Sequence, residues 1–159
     1  MVVRNLVSDD ISTLLRLEKE SYLPELLETK RGFLRKIEIF PQGCLCCEEE
    51  GQIHAFAISH PWHGEKEVEI DAYKQVIPDL PDCYYIHDLV VEHKYRGKGL
   101  AELLVKQLVE VSRGKGISKL VLVAVQNSEP FWARYGFQPV RKLNYGLNVP
   151  ATYMCSVTT

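Results

Sequence analysis

A strand, a basic loop with two glycines and a helix follow one another over residues 84–111, and this succession constrains the fold more than any other part of the sequence. Residues 84–92 are apolar and rich in β-branched and aromatic side chains, which predicts a buried strand. From Leu100 onward, apolar residues recur at helical spacing. Between these elements, Gly97 and Gly99 let the backbone approach an anion closely, beside the free amides of a helix amino terminus. The segment therefore predicts a cradle for a phosphate group.

The loop lacks two common nucleotide-binding motifs. It has neither the Gly-Lys-Ser/Thr ending of a P-loop nor a complete Gly-x-Gly-x-x-Gly, which argues against nucleotide hydrolysis and hydride transfer. By itself, the tetrapeptide of residues 96–99 is more often a solvated charged turn, so its interpretation depends on the rest of the chain.

The remaining pattern predicts a single α/β domain over residues 1–159 with the element order β-α-α-β-β-β-α-β-α-β-β. Residues 60–64 are expected to form a loop, and residues 65–83 allow no assignment because prolines interrupt their alternating pattern. Helices are expected to begin at Ser8, Pro24, Leu100 and Glu129. The other strands are expected at residues 2–7, 44–48, 52–59, 119–125, 137–143 and 152–157.

Composition and charge exclude several classes of protein. Apolar residues make up 46%, and 19 basic against 21 acidic residues give a net charge of −2, which disfavours nucleic acid as a partner. The longest apolar run, residues 120–125, is far shorter than the roughly 20 residues that span a bilayer. The amino terminus also has no apolar export segment. We therefore expect a soluble cytoplasmic protein, monomeric or homodimeric, that binds neither membrane nor nucleic acid.

The cysteines are odd in number, which suits free thiols in a reducing compartment. On a strand, Cys44 and Cys46 would share one face and Cys47 would take the other. The spacing Cys44-x-x-Cys47 followed by His60-x-x-His63 resembles a zinc site superficially. The two histidines are too close together, however, and the proline between them denies the helix that would present both, so we expect no metal. The predicted free thiols are those of Cys44, Cys46, Cys47, Cys83 and Cys155.

Two motifs, in the right order, resemble those of the Gcn5-related N-acetyltransferase (GNAT) family. Residues 96–101 match its acetyl-CoA pattern Arg/Gln-x-x-Gly-x-Gly/Ala. A strand at residues 120–125 and then Phe-Trp-Ala-Arg-Tyr-Gly-Phe at residues 131–137 match its second motif, a strand and a short helix ending Phe-Tyr-x-x-x-Gly-Phe. The resemblance covers residues 84–140, and the order of elements also fits. Residues 87–91 and 129–131 are similar to the arylalkylamine N-acetyltransferase branch.

The resemblance implies a GNAT-like fold in which the strands of residues 84–92 and 119–125 splay apart, and acetyl-CoA as the cosubstrate. Pantetheine would pair with the backbone between the strands, and pyrophosphate would lie on the loop amides. The implied cofactor-binding residues are Leu89, Val90, Val91, Arg96, Gly97, Lys98, Gly99, Leu100, Ala101, Asn127, Phe131 and Trp132.

An alkylamine is protonated near pH 7, so acyl transfer to it requires a base. His87 is the candidate, because an imidazole titrates near neutral pH and the position matches a catalytic histidine of the arylalkylamine branch. Tyr85 stands where that branch carries a second histidine, and on the same strand face it would orient a water relay. The alternative for His87 is a structural histidine within the strand.

The residue that follows Phe131 departs from the family pattern. Many members have a tyrosine there that protonates the departing thiolate, and the indole of Trp132 has no hydroxyl to do so. Tyr135 is a candidate acid, although packing is the usual role at its position, and Tyr145 is another candidate. Protonation of the thiolate by solvent is a further alternative.

A group of glutamates falls where the family places its acceptor-binding helices. They would attract a cationic amine, and a solvated charged face is the alternative interpretation. The four are Glu18, Glu20, Glu25 and Glu28.

The sequence thus predicts an acyltransferase of the N-acetyltransferase class, which moves the acetyl group of acetyl-CoA to a small-molecule primary amine by direct attack in a ternary complex. Acetylation of a protein or peptide amino terminus is one alternative. A catalytically silent module that binds acyl-CoA is another. The acceptor and the strict requirement for acetyl remain open at this point.

Overall fold

Seven strands form one mixed sheet in the computed structural model, which describes residues 1–64, 67–145 and 148–158. They lie side by side in the order β1-β2-β3-β4-β5-β7-β6, and only the neighbours β4 and β5 run parallel. The strands are β1 (Val2–Asn5), β2 (Cys44–Glu49), β3 (Gln52–Trp62), β4 (Cys83–Val91), β5 (Lys119–Val125), β6 (Gln138–Tyr145) and β7 (Val149–Val157).

Helices cover both faces of this sheet. Leu14 and Leu17 of the first helix and Phe33 of the second share an apolar cluster with Phe56 and Ile58 of β3. The third helix packs on the opposite face through its apolar side, which removes that side from water. The helices are α1 (Ile11–Ser21), α2 (Lys30–Ile39), α3 (Leu100–Gly114) and α4 (Glu129–Ala133). The predicted element order is confirmed. Among the helices of the described ranges, none is long and apolar enough to cross a membrane.

β3 is longer than predicted, because the loop expected at residues 60–64 begins only after Trp62. Pairing of β3 with β2 ends at Ile58, so the end of β3 is a sheet edge on that side. Proline is tolerated at a sheet edge, because no neighbouring strand there needs the amide proton that proline lacks. The last residues of β3 pair with β4, His60 opposite Tyr85, Pro61 opposite Tyr84 and Trp62 opposite Cys83.

The prediction that a helix begins at Pro24 is also wrong, because the helix begins later in the chain. Residues 24–26 form a single 3₁₀ turn, and α2 begins six residues after Pro24, where the Thr29 hydroxyl accepts a hydrogen bond from the Gly32 amide. Between these two pieces, the amides of Glu28 and Thr29 bind carboxylates instead of helical carbonyls. The Glu28 amide donates to Oε2 of Glu18 at 2.8 Å, which places the Glu28 side chain under the sheet rather than on a helix surface.

The faces of β2 agree with the sequence. Cys44 and Cys46 pack on the side of α1 and α2, and Cys47 packs on the side of α3. Cys44 and Cys47 therefore cannot converge on one ion, and all five cysteines are free thiols.

Residues 65–83, which the sequence left unassigned, lie partly outside the described residues. Residues 67–82 contain turns and bends but no helix or strand, and Cys83 is the first residue of β4. Val68 is buried there against Tyr85 and Tyr153, so this segment covers the sheet next to β4.

β4 and β5 separate after a short parallel contact. Their pairing spans only residues 84–86 of β4 and 120–122 of β5, which confirms the predicted splayed pair. On the other edge of β4, Ile86 lies opposite Ser59 and Asp88 lies opposite Ile58, so His87 is the extra residue of a β-bulge. A bulge changes the direction of the side chains that follow it.

Candidate active site

A cavity of about 620 Å³ occupies the gap between β4 and β5. The second half of β4, the end of β5, the loop before α3, the start of α3 and α4 surround it. Of the residues predicted for the site, those that line it are His87, Leu89, Val91, Arg96, Gly97, Gly99, Leu100, Ala101, Phe131, Trp132 and Tyr135. Those that do not are Tyr85, Val90, Lys98 and Asn127.

The glycine loop has the geometry of an anion cradle. Gly97 and Gly99 have φ values of 76° and 83°, which side-chain-bearing residues rarely adopt. The space that a Cβ would take at either glycine has no heavy atom within 4 Å. Gly99 precedes the first turn of α3, whose opening amides have no helical acceptor and whose dipole favours an anion. The loop thus offers free donors and open space together.

Side-chain contacts at and behind the cavity wall hold the loop in place. His54 Nδ1 lies 2.6 Å from Oε2 of Glu92, and the ring of Tyr95 stacks on the His54 ring at 3.7 Å between centroids. The ammonium of Lys98 lies 4.5 Å from the centroid of Tyr95. Nε of Arg96 donates to the carbonyl of Val91 at 3.3 Å, so the guanidinium binds the last carbonyl of β4.

The bulge directs His87 and Asp88 toward the same face of the sheet, that of α1 and α2. His87 Nε2 lies 3.1 Å from Oε2 of Glu28, and the hydroxyl of Tyr22 donates to Oδ1 of Asp88 at 2.8 Å. Without the extra residue, consecutive side chains of β4 would point to opposite faces. His87 borders both the main cavity and a side cavity of about 50 Å³. Its Nδ1 is buried and has no hydrogen-bond partner among the described residues.

Glu28 is the buried anion of the site. Burial alone would favour its neutral form, but the hydrogen bond with His87, the charge of Lys36 and the hydrogen bond from the Thr29 amide outweigh it and hold the pKa of Glu28 below its ordinary value. Nζ of Lys36 lies 3.2 Å from Oε2 of Glu28, and the Lys36 side chain is 1% exposed. Burial, reinforced by the positive charge of Lys36, lowers the pKa of His87 and keeps the imidazole neutral.

A second acidic group lies beside the first. Glu18 is 2% exposed, and burial together with the charge and hydrogen bond of Asp88 raises its pKa, so the Glu18 carboxyl group is neutral at pH 7. The same surroundings raise the pKa of Tyr22 well above its ordinary value. Glu18 and Glu28 are therefore not a solvated face, whereas Glu20 and Glu25 are exposed.

Three tyrosines differ in their access to the cavities. Tyr85 is 1% exposed, and its ring centroid lies 6.1 Å from that of His87, on the same face but behind the cavity wall. The hydroxyl of Tyr145 donates to the carbonyl of Val68 at 2.6 Å and borders the side cavity. Tyr135 lines the main cavity, where its ring packs edge-on against Phe131.

Trp132 forms part of an aromatic wall of the main cavity. Its ring packs edge-on against Phe131 at 4.9 Å and against Phe137 at 5.5 Å between centroids. The indole therefore packs against two aromatic residues of the second motif, and it carries no hydroxyl group.

The zinc-like spacing does not produce a cluster. The buried ring of His60 is held by Gln75, whose Nε2 lies 2.8 Å from Nε2 of the imidazole. Within the described ranges, no group of three or more His, Cys, Asp or Glu residues is placed to hold a metal ion.

Sequence reasoning missed Lys36, Asp88 and Tyr22. Asp88 gave the one available signal, an acid inside an otherwise apolar strand. Lys36 gave none, because a lysine on an amphipathic helix is ordinarily solvated.

These features define an α/β protein with an open glycine loop at a split in its sheet. Residues 9–137 match the Acetyltransferase (GNAT) family, and the chain belongs to this family.

One relative, from Trypanosoma brucei brucei, is named glucosamine 6-phosphate N-acetyltransferase. It is 43% identical over 54 residues, which cover 34% of this chain and 37% of that protein. The match therefore spans little more than a third of the relative.

Two solved structures share the fold. The loading GNATL domain of CurA from Lyngbya majuscula superposes with a TM-score of 0.85 at 14% identity, covering 98% of this chain and 96% of that one. The GphF GNAT-like decarboxylase in complex with isobutyryl-CoA gives 0.81 at 14% identity, covering 99% of each chain. At this level of identity the likeness shows the fold alone.

Proposed function

We propose that the chain is an acetyl-CoA-dependent N-acetyltransferase that acts on the primary amine of a small molecule. One observation carries the proposal: a single cavity contains both an anion cradle and the imidazole of His87. The cradle suits the pyrophosphate of a CoA thioester, and the imidazole suits removal of a proton from an amine. The name of the relative from Trypanosoma brucei brucei, which describes acetylation of an amino sugar, supports the same class of reaction.

The described residues fit acetyl-CoA at three points. Open space at Gly97 and Gly99 leaves the loop amides accessible to pyrophosphate. β5 offers no partner to β4 beyond Ile86, so pantetheine would lie along residues 89–91. Phe131 would pack beside the cofactor from α4. The GphF GNAT-like decarboxylase, which shares this fold, was solved in complex with isobutyryl-CoA, and this supports an acyl-CoA ligand here.

The chemistry follows from the position of His87. Bound acetyl-CoA would supply the acetyl thioester. His87 would take one proton from the ammonium of the acceptor, and the neutral amine would attack the thioester carbonyl carbon. A C–N bond forms, the C–S bond breaks, and the nitrogen releases its second proton to solvent as the amide forms. CoA leaves as a thiolate that solvent protonates, because Trp132 brings no hydroxyl. Asp88 would stabilise the imidazolium while it holds the proton.

The side cavity indicates which amines suit the site. Glu18 and Asp88 border it, and no lysine or arginine is present among the described residues that line it. A phosphate group there would face the charge of Asp88 without a cation to balance it, whereas an ammonium would be attracted. We therefore propose an acceptor without an anionic group.

The test measures release of CoA thiol and the mass of the product with matched acceptors. Glucosamine and glucosamine 6-phosphate differ only in the phosphate, and tryptamine and a peptide with a free amino terminus complete the set. We expect transfer to an amine whose body is uncharged, with glucosamine 6-phosphate no better than glucosamine. Acetylation of the peptide alone would favour the peptide alternative, and binding of CoA without transfer to any amine would favour the silent module.

A further inference from the structure

Glu28 lies on the segment between α1 and α2 and accepts four hydrogen bonds, which is an unusual number for one buried carboxylate. Oε1 accepts from the amides of Asp71 at 2.7 Å and Thr29 at 3.0 Å. Oε2 lies 3.2 Å from Nζ of Lys36 and 3.1 Å from Nε2 of His87. Glu28 is 5% exposed, so water does not replace these donors. The carboxylate is therefore held in one orientation from four directions.

These contacts determine which nitrogen of His87 carries its proton. An ionised carboxylate only accepts hydrogen bonds, so the contact at Nε2 requires a proton on Nε2. In a neutral imidazole the other nitrogen then has a free lone pair. That nitrogen is Nδ1, which is buried and unpartnered within the described part of the chain, on a side chain that is 5% exposed and borders both cavities. An unpartnered buried acceptor is costly to keep, which points to a partner supplied by a ligand.

We propose that Glu28 is a positioning residue that fixes His87 as the Nε2–H tautomer and so presents Nδ1 as the proton acceptor for the amine. The inference rests on the proposed function, because it assigns Glu28 a role through the base of that reaction. Lys36 balances the charge of Glu28, so that the pair brings no net charge under the sheet. Glu28 does not touch the amine in this arrangement and acts only through His87.

The effect of each charge on His87 has a definite sign. Glu28 and Asp88 stabilise the imidazolium and raise the pKa of His87, whereas burial and Lys36 lower it. Removing Glu28 should therefore shift the titration of His87 to lower pH, and removing Lys36 should shift it to higher pH. The ionisable groups that face the ring from the surrounding elements are Glu18 of α1, Tyr22 after α1, Glu28, Lys36 of α2, His60 of β3, Tyr85 and Asp88 of β4, and Tyr145 of β6.

The first test compares pH profiles of kcat/KM for the amine in Glu28→Gln, Lys36→Met and wild type. Glu28→Gln should move the ascending limb down by about one unit and lower kcat by about tenfold or more, with KM for acetyl-CoA retained. Lys36→Met should move the same limb up. Glu38→Gln, at an exposed glutamate of α2, should leave the profile unchanged. If Glu28 and Lys36 served only in packing, both variants would be less stable than wild type. The ascending limb would then not move down in Glu28→Gln and up in Lys36→Met.

The second test is independent of turnover and of the folding of Glu28→Gln. Two-bond ¹H–¹⁵N correlation spectra of wild type identify the protonated nitrogen of each histidine, with His87→Gln used to assign the signal of His87. We expect the Nε2–H tautomer of His87 at pH 7.

The outcomes separate the inference from the proposed function. An Nδ1–H tautomer or a permanent imidazolium in wild type would overturn the role of Glu28 even in an active enzyme, as would a limb that stays in place in folded Glu28→Gln. Absence of transfer to every amine, together with the Nε2–H tautomer, would instead overturn the function and leave the tautomer assignment supported.

Discussion

The hydroxyl of Tyr22 donates a hydrogen bond of 2.8 Å to Oδ1 of Asp88, and this bond ties the end of α1 to the bulge of β4. Asp88 comes directly after the extra residue of the bulge, His87. The bond therefore holds the strand where it leaves β5 and where the proposed base projects. The bond is part-buried beside the cavity, so its loss should cost part of the free energy of a buried hydrogen bond.

Tyr22→Phe should lower the free energy of unfolding by about 1 kcal/mol, because it removes one part-buried hydrogen bond and keeps the ring. Urea unfolding measures the change. Tyr73→Phe is the matched control, since Tyr73 is 41% exposed and loss of its hydroxyl should change stability by less than about 0.5 kcal/mol. Equal stability of Tyr22→Phe and wild type would show that the bond does not anchor the bulge.

Acetyl-CoA or CoA should raise the melting temperature of wild type by binding the folded state, and ATP or NAD should raise it little. Gly99→Val should abolish the shift, because a branched side chain would fill the open space next to the α3 amides.

The control for the strain at positive φ is Gly116→Val. Gly116 has φ of 73° and open space around it, but it follows the far end of α3, away from the cavity. It should lose stability and keep the CoA shift. Retention of the full shift in Gly99→Val would place the cradle elsewhere.

Local sequence patterns were sufficient for most of the fold. β5 occupies the predicted residues 119–125, and β4 differs by one residue at each end, because continuous apolar runs identify buried strands directly. The end of β3 was missed because its last residues are strand only through pairing with β4, which the local pattern around Pro61 does not reveal.

In the candidate site, too, local sequence patterns revealed some features and tertiary contacts created others. The glycine loop belongs to a contiguous pattern, and the strand before it and the helix after it indicated its role from the sequence. The environment of His87 was not indicated in this way, because the register between β3 and β4 creates the bulge and Glu28 is 59 residues away along the chain. Tertiary packing also converted Glu18 and Glu28 from helix-surface candidates into buried groups.

His87→Ala should lower turnover by about 10²–10⁴-fold if the imidazole is the base, with affinity for acetyl-CoA largely preserved. Steady-state rates from pH 6 to 9 measure the loss, and isothermal titration with CoA measures the affinity. His63→Ala, which removes an exposed histidine beyond β3, should retain full turnover. A loss of less than about threefold at every pH would make His87 a structural residue of the strand.

The acid step concerns Trp132, Tyr135 and Tyr145. If solvent protonates the thiolate, Tyr135→Phe and Tyr145→Phe should each retain most activity, and Trp132→Tyr should be tolerated or improve turnover with poor leaving groups. Rates with thioesters of different thiol pKa measure this step. A loss in kcat of about 10²-fold in one Tyr→Phe variant that still binds CoA would identify that phenol as the acid.

Glu18→Gln should be more stable than wild type at neutral pH, and the difference should grow with pH. Burial and Asp88 raise the pKa of Glu18 in the folded state above its ordinary value of 4.5, so folding favours the protonated acid. The stability that this acid contributes is complete below pH 4.5 and is lost as the pH rises toward the raised value. Glutamine mimics the protonated acid at every pH, because its amide can accept from the Glu28 amide and donate to Asp88. Urea unfolding at pH 5, 6, 7 and 8 should therefore show the two proteins diverging steadily, whereas Glu20→Gln, an exposed glutamate of the same helix, should follow wild type throughout. The difference in stability between Glu18→Gln and wild type could also stay constant over this range. That result would mean that Glu18 is ionised beside Asp88 in the folded protein.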